Sequence, residues 1–172
     1  VFAQVNDAGI QVLQVSGWPA PFGITLVADL LAAMLIVAVG VVAVAVAGVA
    51  FAGVDPRREA FGYHALIQIL LMGVTGAFLT GDLFNLYVWF EVMLIASFGL
   101  MVLAGHPLQL DAAVKYGVLN FLATTLFLMG LGLLYGLLGT LNMADIVGAA
   151  SRADLAPLTA IAALFALAFG MK

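Results

Sequence analysis

The sequence predicts an all-α integral membrane protein, a multi-span helix bundle with a short external β-hairpin at its N-terminus. Two observations carry this prediction. Of the 172 residues, 66% are hydrophobic and only 8% are charged, whereas soluble domains contain roughly 45–50% apolar and about 25% charged residues. The apolar residues also form long runs, and a run of about 20 is enough for a helix to cross the hydrocarbon of a bilayer. The bilayer is therefore the expected solvent.

Residues 1–22 have a different pattern and are predicted to form an extracytoplasmic β-hairpin with an interfacial loop. The segments 1–5 and 10–15 alternate or are rich in β-formers, and they flank Asn6-Asp7-Ala8-Gly9. Gly9 is suited to a turn because glycine adopts positive φ without steric cost. Trp18 fits the aromatic belt at the membrane interface.

Residues 23–172 are predicted to form the transmembrane bundle. Five apolar runs separated by polar turns divide it into four complete spans and most of a fifth. The chain starts at Val1 and stops inside an apolar run, so we expect it to be truncated at both ends. The predicted spans are about 23–53, 63–81, 84–104, 112–138 and 155–172, the last one truncated.

The loops predict an orientation. Arg57 and Arg58 form the strongest basic loop, while residues 1–22 contain no lysine or arginine. Because cytoplasmic loops are enriched in these two residues, we expect the Arg57 loop inside and the hairpin outside. Alternation then places Asp82 outside.

Several classes of function are excluded or unsupported. Cysteine is absent and the net charge is -4, so thiol chemistry is excluded and no basic cluster indicates nucleic acid. The two histidines are far apart and do not form a metal-ligand motif. No glycine-rich phosphate loop has the required strand–turn–helix setting. We therefore expect no metal and no cofactor.

Glu91 is the most informative residue. It lies seven residues after Phe84, roughly 10 Å into its span, which is too deep for its short side chain to reach water. An ionised carboxylate at this depth is costly, so it must be paired, hydrated or protonated. One interpretation is a group that loads and unloads protons. The other is a permanently protonated acid packed in the bundle.

Lys172 is the natural complement to Glu91. It follows about seventeen mostly apolar residues, so it lies at depth if its helix continues, and Gly170 would allow the helix to break there. The alternative is a lysine at the cytoplasmic end of the span that extends its side chain outward to the interface.

A weaker polar pattern follows the second span. His64, Gln68, Thr75 and Asp82 recur at spacings of four and seven, so they are predicted to share one helix face. Such a face would line a hydrated proton path, or it would only supply hydrogen bonds between helices.

The fourth span contains two further candidates for a proton path. Asn120 lies in its middle, four residues before Thr124, and Lys115 lies near its cytoplasmic end. Lysine at that position is also typical of an interfacial anchor.

Several runs of the sequence are distinctive over and above their apolar character. They are Gly17-Trp18-Pro19-Ala20-Pro21-Phe22-Gly23, Leu26-Val27-Ala28-Asp29-Leu30, the segment from Gly76 to Ser97, Lys115-Tyr116 with Val118-Leu119-Asn120, the segment from Tyr135 to Asp145, and Phe169-Gly170-Met171-Lys172. These runs resemble the D-type subunit of the multisubunit Mrp-type sodium/proton antiporters, within a wider family that includes the antiporter-like subunits of respiratory complex I and of membrane-bound hydrogenases. The similarity covers essentially the whole chain, and its most specific part is Gly81 to Ser97.

The resemblance implies a first inverted helical repeat, with this chain corresponding to spans three to seven. It also implies that Glu91 is the family's essential glutamate on span five and Lys172 its lysine on the broken span seven. Mid-membrane burial of Lys172 is then expected. Spans one and two, and everything after Lys172, are absent from the match.

The function implied is a proton-translocating subunit of a cation/proton antiporter in the bacterial inner membrane, a secondary transporter and not an enzyme. Its partners would be other subunits of the complex, the lipid bilayer, protons and Na⁺. One alternative is a proton-pumping subunit of a respiratory NADH:quinone oxidoreductase or a hydrogenase. Another is a structural membrane subunit that transports nothing.

Overall fold

The computed structural model describes residues 1–103 and 105–172, and it is dominated by helices. A short helix and a small sheet come first, followed by the helices of the bundle. The elements are α1 (Phe2–Ala8), β1 (Gln11–Gln14), a 3₁₀ turn (Val15–Gly17), β2 (Thr25–Ala28), α2 (Leu30–Gly53), α3 (Pro56–Ala60), α4 (Tyr63–Leu79), α5 (Leu83–Val102), α6 (Pro107–Leu138), α7 (Met143–Ala150) and α8 (Leu155–Met171).

The multi-span helical class is confirmed. Helices α2, α5 and α6 are long and apolar enough to cross a membrane. Helices α4 and α8 are also apolar but have 17 residues each, at the short end of the range of about 17–25 residues for a spanning helix. All five coincide with predicted spans to within a few residues at most ends.

The small antiparallel sheet at the N-terminus is also confirmed, but its strands differ from those predicted. Strand β1 pairs with β2, so that Gln11 lies opposite Ala28 and Gln14 opposite Thr25. Residues 2–8 form a helix, and the turn expected at residues 6–9 is the end of that helix. Gly9 has φ 77°, and its N–H donates to the carbonyl of Val5.

The first span begins later than predicted because residues 25–28 form strand β2. Residues 25–28 are apolar and fall within the predicted span, because a short apolar run does not distinguish a strand from the start of a helix. Helix α2 begins at Leu30. The carboxylate of Asp29 caps it by accepting a hydrogen bond of 2.7 Å from the N–H of Ala32.

Glycines permit the closest helix contacts. Gly73 and Gly76 of α4 face Trp89 and Met93 of α5, and a Cβ on Gly76 would lie 2.3 Å from the Trp89 ring. Gly130 of α6 similarly accommodates the ring of Phe165 in α8. Small residues at these positions let the helix backbones approach, as is usual in membrane bundles.

Two turns at one end of the bundle repeat the same structure. In the α4–α5 turn, the hydroxyl of Thr80 accepts from the N–H of Asp82, and Asp82 caps α5 by accepting from the N–H of Asn85. In the α6–α7 turn, the hydroxyl of Thr140 accepts from the N–H of Asn142, and the side-chain oxygen of Asn142 accepts from the N–H groups of Ala144 and Asp145. Each turn thus caps the helix that follows it.

The two turns are also joined to each other. The N–H of Leu83 donates to the carbonyl of Leu141, and the N–H of Met143 donates to the carbonyl of Gly81, both at 2.9 Å. Helix α4 ends at Leu79, so Asp82 lies in the turn that follows and caps helix α5. The prediction that Asp82 continues the polar face of the second span is therefore wrong.

Candidate functional site

Glu91 lies on α5, eight residues and about 12 Å after the start of the helix at Leu83. Its Oε1 atom is buried and has no hydrogen-bond partner among residues 1–103 and 105–172. A buried carboxyl oxygen without a partner is rare, because the desolvation of the group is then uncompensated. Such an oxygen is suited to a proton, a water molecule or a mobile cation.

Lys172 directly follows the last residue of α8, and its ammonium lies beside the residue next to Glu91. The Nζ atom is 4.5 Å from the centroid of the Phe90 ring. Within the described part of the chain, the ion pairs closer than 4.0 Å are Glu59–His64 and Asp111–Lys115. Lys172 therefore contacts Phe90 and does not form an ion pair with Glu91 in this structure.

A cluster of aromatic side chains includes Phe90, the ring that the Lys172 ammonium contacts. Phe127 of α6 is fully buried, and rings from α5 and α8 pack around it. The centroid distances from Phe127 are 6.3 Å to Tyr87, 5.9 Å to Phe90, 5.1 Å to Phe165 and 5.2 Å to Phe169. Phe127 is buried at the centre of this cluster, whereas Phe169 is 48% exposed and Lys172 is exposed in the described chain.

The polar face of α4 has a different neighbourhood. The Nε2 atom of His64 lies 3.3 Å from the carboxylate of Glu59. Gln68 borders two cavities, of about 260 and 440 Å³. The larger one is also bordered by Thr75 and Trp89. The smaller cavity lies between α2 and α4, whereas the larger one lies along α4 and has Trp89 of α5 at its edge.

The two candidates on α6 are engaged locally. Lys115 forms an ion pair of 2.6 Å with Asp111, one helical turn earlier, and both side chains are exposed. The buried side-chain amide of Asn120 donates to the carbonyl of Tyr116. Among the described residues, neither candidate makes a hydrogen bond or ion pair with Glu91.

Two aromatic residues beside the site were not predicted from the sequence. Phe90 is in contact with the Lys172 ammonium, and the indole Nε1 of Trp89 is buried without a partner among the described residues. A signal was present for Trp89, because an indole N–H in an apolar span needs an acceptor. Phe90 had no comparable signal, since a phenylalanine in a span is ordinarily lipid-facing or core.

The fold and this site define a class: a multi-span helical membrane protein whose helix α5 carries a glutamate with a buried carboxyl oxygen that has no partner among the described residues. Residues 80–172, more than half of the chain, match the family described as NADH:quinone oxidoreductase/Mrp antiporter, transmembrane. The chain belongs to this family of antiporter-like membrane subunits.

Three known proteins sharpen the match. The chain is 46% identical over 169 residues to the D-type subunit of the Na⁺/H⁺ antiporter of Bacillus subtilis, covering 98% of this chain and 34% of that protein. It matches a chain of the Mrp complex from Dietzia sp. DQ12-45-1b with a TM-score of 0.82 at 33% identity, over 97% of this chain and 31% of the other. A chain of the membrane-bound sulfane sulfur reductase, an archaeal respiratory membrane complex, gives a TM-score of 0.83 at 33% identity, over 95% and 34% of the two chains.

These comparisons confirm the resemblance to the D-type antiporter subunit that the sequence runs indicate. The chain spans about a third of the length of the relatives it matches. The part matched by the family model, residues 80–172, includes both Glu91 and Lys172.

Proposed function

We propose that this chain supplies a proton-translocating site to a subunit of a multisubunit cation/proton antiporter in the bacterial inner membrane. One observation carries the proposal: the carboxyl of Glu91 has a buried oxygen without a partner among the described residues, and the ammonium of Lys172 lies against the adjacent residue, Phe90. A carboxyl group in this position gains or loses a proton at a cost that depends on where the lysine is.

The proposed cycle has two states. When Glu91 is ionised, Lys172 moves to it and the two charges attract strongly in the apolar surroundings. When a proton neutralises Glu91, the attraction disappears and Lys172 separates from it. Proton movement is thereby coupled to the displacement of a charged side chain. This displacement would change the ion affinity of other sites in the whole protein.

The relatives favour sodium/proton exchange as the activity of the whole protein. The relative from Bacillus subtilis is called a Na⁺/H⁺ antiporter subunit, and the Dietzia chain belongs to an Mrp complex. We therefore propose that other subunits of such a complex are the partners, that protons and Na⁺ are the transported ions, and that the protein is a secondary transporter and not an enzyme.

A second candidate function rests on the equally close structural match to a respiratory membrane complex. In that case the same pair would be driven by electron transfer, as in complex I or a hydrogenase, and not by an ion gradient. Proton uptake that requires an electron donor, and that is insensitive to Na⁺, would support this second candidate.

The central test is Glu91→Gln in the complete complex, reconstituted in vesicles. We expect sodium-driven proton flux to fall to near background, because the amide can neither bind a proton nor attract the lysine. Glu59→Gln is the matched control: it changes the only other glutamate of the chain, which is exposed. Near-normal flux in Glu91→Gln would contradict the proposal and would favour a packed structural acid.

A further inference from the structure

We propose that Phe90 is a positioning residue that holds the Lys172 ammonium when Lys172 is separated from Glu91. This inference deepens the proposed function and rests on it. It concerns the second position of the lysine, which the proposed cycle requires and which a Glu91–Lys172 pair alone does not provide.

The geometry supplies the first argument. The Nζ atom of Lys172 lies 4.5 Å from the Phe90 centroid, well within the distance of about 6 Å at which a cation is attracted to an aromatic face. The attraction comes from the negative face of the ring quadrupole and is strongest where water is excluded. Phe90 is thus a neutral partner for a charge that would otherwise be unpaired.

The ring itself is held in place. Phe127 meets it edge to face at 5.9 Å and an interplanar angle of 69°, and Phe169 does so at 6.0 Å and 86°. These contacts come from α6 and α8, so three helices meet at this ring. A fixed ring presents its face at a constant position, whereas an aliphatic side chain would offer no directional attraction.

Adjacency supplies the second argument. Phe90 and Glu91 are consecutive, with Cα atoms about 3.8 Å apart. Consecutive side chains of a helix point about 100° apart, so the ring and the carboxylate offer the lysine two distinct positions on neighbouring sides of α5. The flexible four-carbon stem of Lys172 would carry its ammonium from one position to the other.

The inference gives a definite sign. If the ring stabilises the separated lysine, removing the ring shifts Lys172 towards Glu91 and favours the ionised carboxylate. The protonated fraction of Glu91 at a fixed pH should therefore fall. A cation–ring attraction of ordinary strength corresponds to a change of about two- to fivefold in the ratio of protonated to ionised Glu91.

The experiment compares Phe90→Leu with Phe165→Leu in the complete complex, and measures the Glu91 carboxyl band by infrared difference spectroscopy against Glu91→Gln. Phe165 packs on the same Phe127 ring, so its variant loses a similar packing contact without losing the lysine. We expect the two- to fivefold change only in Phe90→Leu, with the wild-type ratio largely restored in Phe90→Tyr. Equal ratios in the two leucine variants would overturn the inference.

Fluorinated phenylalanines at position 90 provide the second test. They keep the shape of the ring and weaken the charge on its face, so the ratio should fall stepwise with each added fluorine. A ratio of protonated to ionised Glu91 that does not respond to fluorination overturns the role of Phe90. This test decides the inference even if the Phe90→Leu complex fails to assemble. If Glu91→Gln abolishes flux while Phe90 variants behave like the wild type, only this inference fails; if Glu91→Gln transports normally, the proposed function itself fails.

Discussion

The side-chain amide of Asn142 donates a hydrogen bond of 2.8 Å to the hydroxyl of Thr25, 117 residues earlier in the chain. Both residues are buried, at 5% and 6% exposure. The bond ties strand β2 to the turn between α6 and α7. The same hydroxyl donates to the side-chain oxygen of Gln14 in β1, so one threonine connects the N-terminal sheet to the helix bundle.

The first prediction concerns this connection. Thr25→Val removes the hydroxyl and leaves the amide of Asn142 buried without an acceptor, which should lower the free energy of unfolding by about 1–3 kcal/mol. Thr25→Ser keeps the hydroxyl and should cost clearly less. Denaturant unfolding of the full-length protein in detergent measures both, and equal losses in the two variants would contradict the role of the hydrogen bond.

The second prediction concerns the contact between α4 and α5. Gly76→Ala places a methyl group where the Trp89 ring already lies, at 2.3 Å, so we expect destabilisation of about 1–3 kcal/mol from overpacking. Gly136→Ala is the control, since its added Cβ would meet no atom of the described chain within 4 Å apart from the adjoining residues and backbone of its own helix. Alanine there should be neutral or stabilise the helix by up to about 1 kcal/mol. Unfolding measurements that rank the two variants in the opposite order would refute this packing.

The third prediction concerns the coupling of Glu91 and Lys172. If the two act as one switch, Lys172→Ala should abolish sodium-driven flux, and the double variant with Glu91→Gln should be no worse than either single variant. Lys172→Arg retains the charge and should keep part of the flux. Single variants with partial, multiplicative losses would mean that the two residues act independently.

The fourth prediction separates two roles for Asp82. As a helix cap it needs only an acceptor oxygen, so Asp82→Asn should retain both stability and flux, whereas Asp82→Ala should lose about 1 kcal/mol of stability. A member of a proton path needs an ionisable group. Loss of flux in a stably folded Asp82→Asn complex would therefore show that Asp82 takes part in proton transfer.

The sequence was sufficient for features that depend on local length and spacing. Apolar runs identified the five long helices, and the position of Glu91 within its run gave its depth. It was insufficient where the outcome depended on distant partners. Residues 25–28 form a strand that pairs with β1, and residues 2–8, which were expected to form the other strand of the hairpin, are helical. The contact of Lys172 with Phe90 joins α8 to α5, which no local pattern reveals.

The joined turns at the ends of α4 and α6 also determine the sidedness of every loop. Because the backbone of residues 81–83 is bonded to that of residues 141–143, both turns lie at the same membrane surface. Helices α4 and α6 then run in the same direction and α5 runs against them. Arg57 and His106, at the other ends of these helices, must share the opposite surface. A single accessibility label at either turn thus reports the topology of the whole chain.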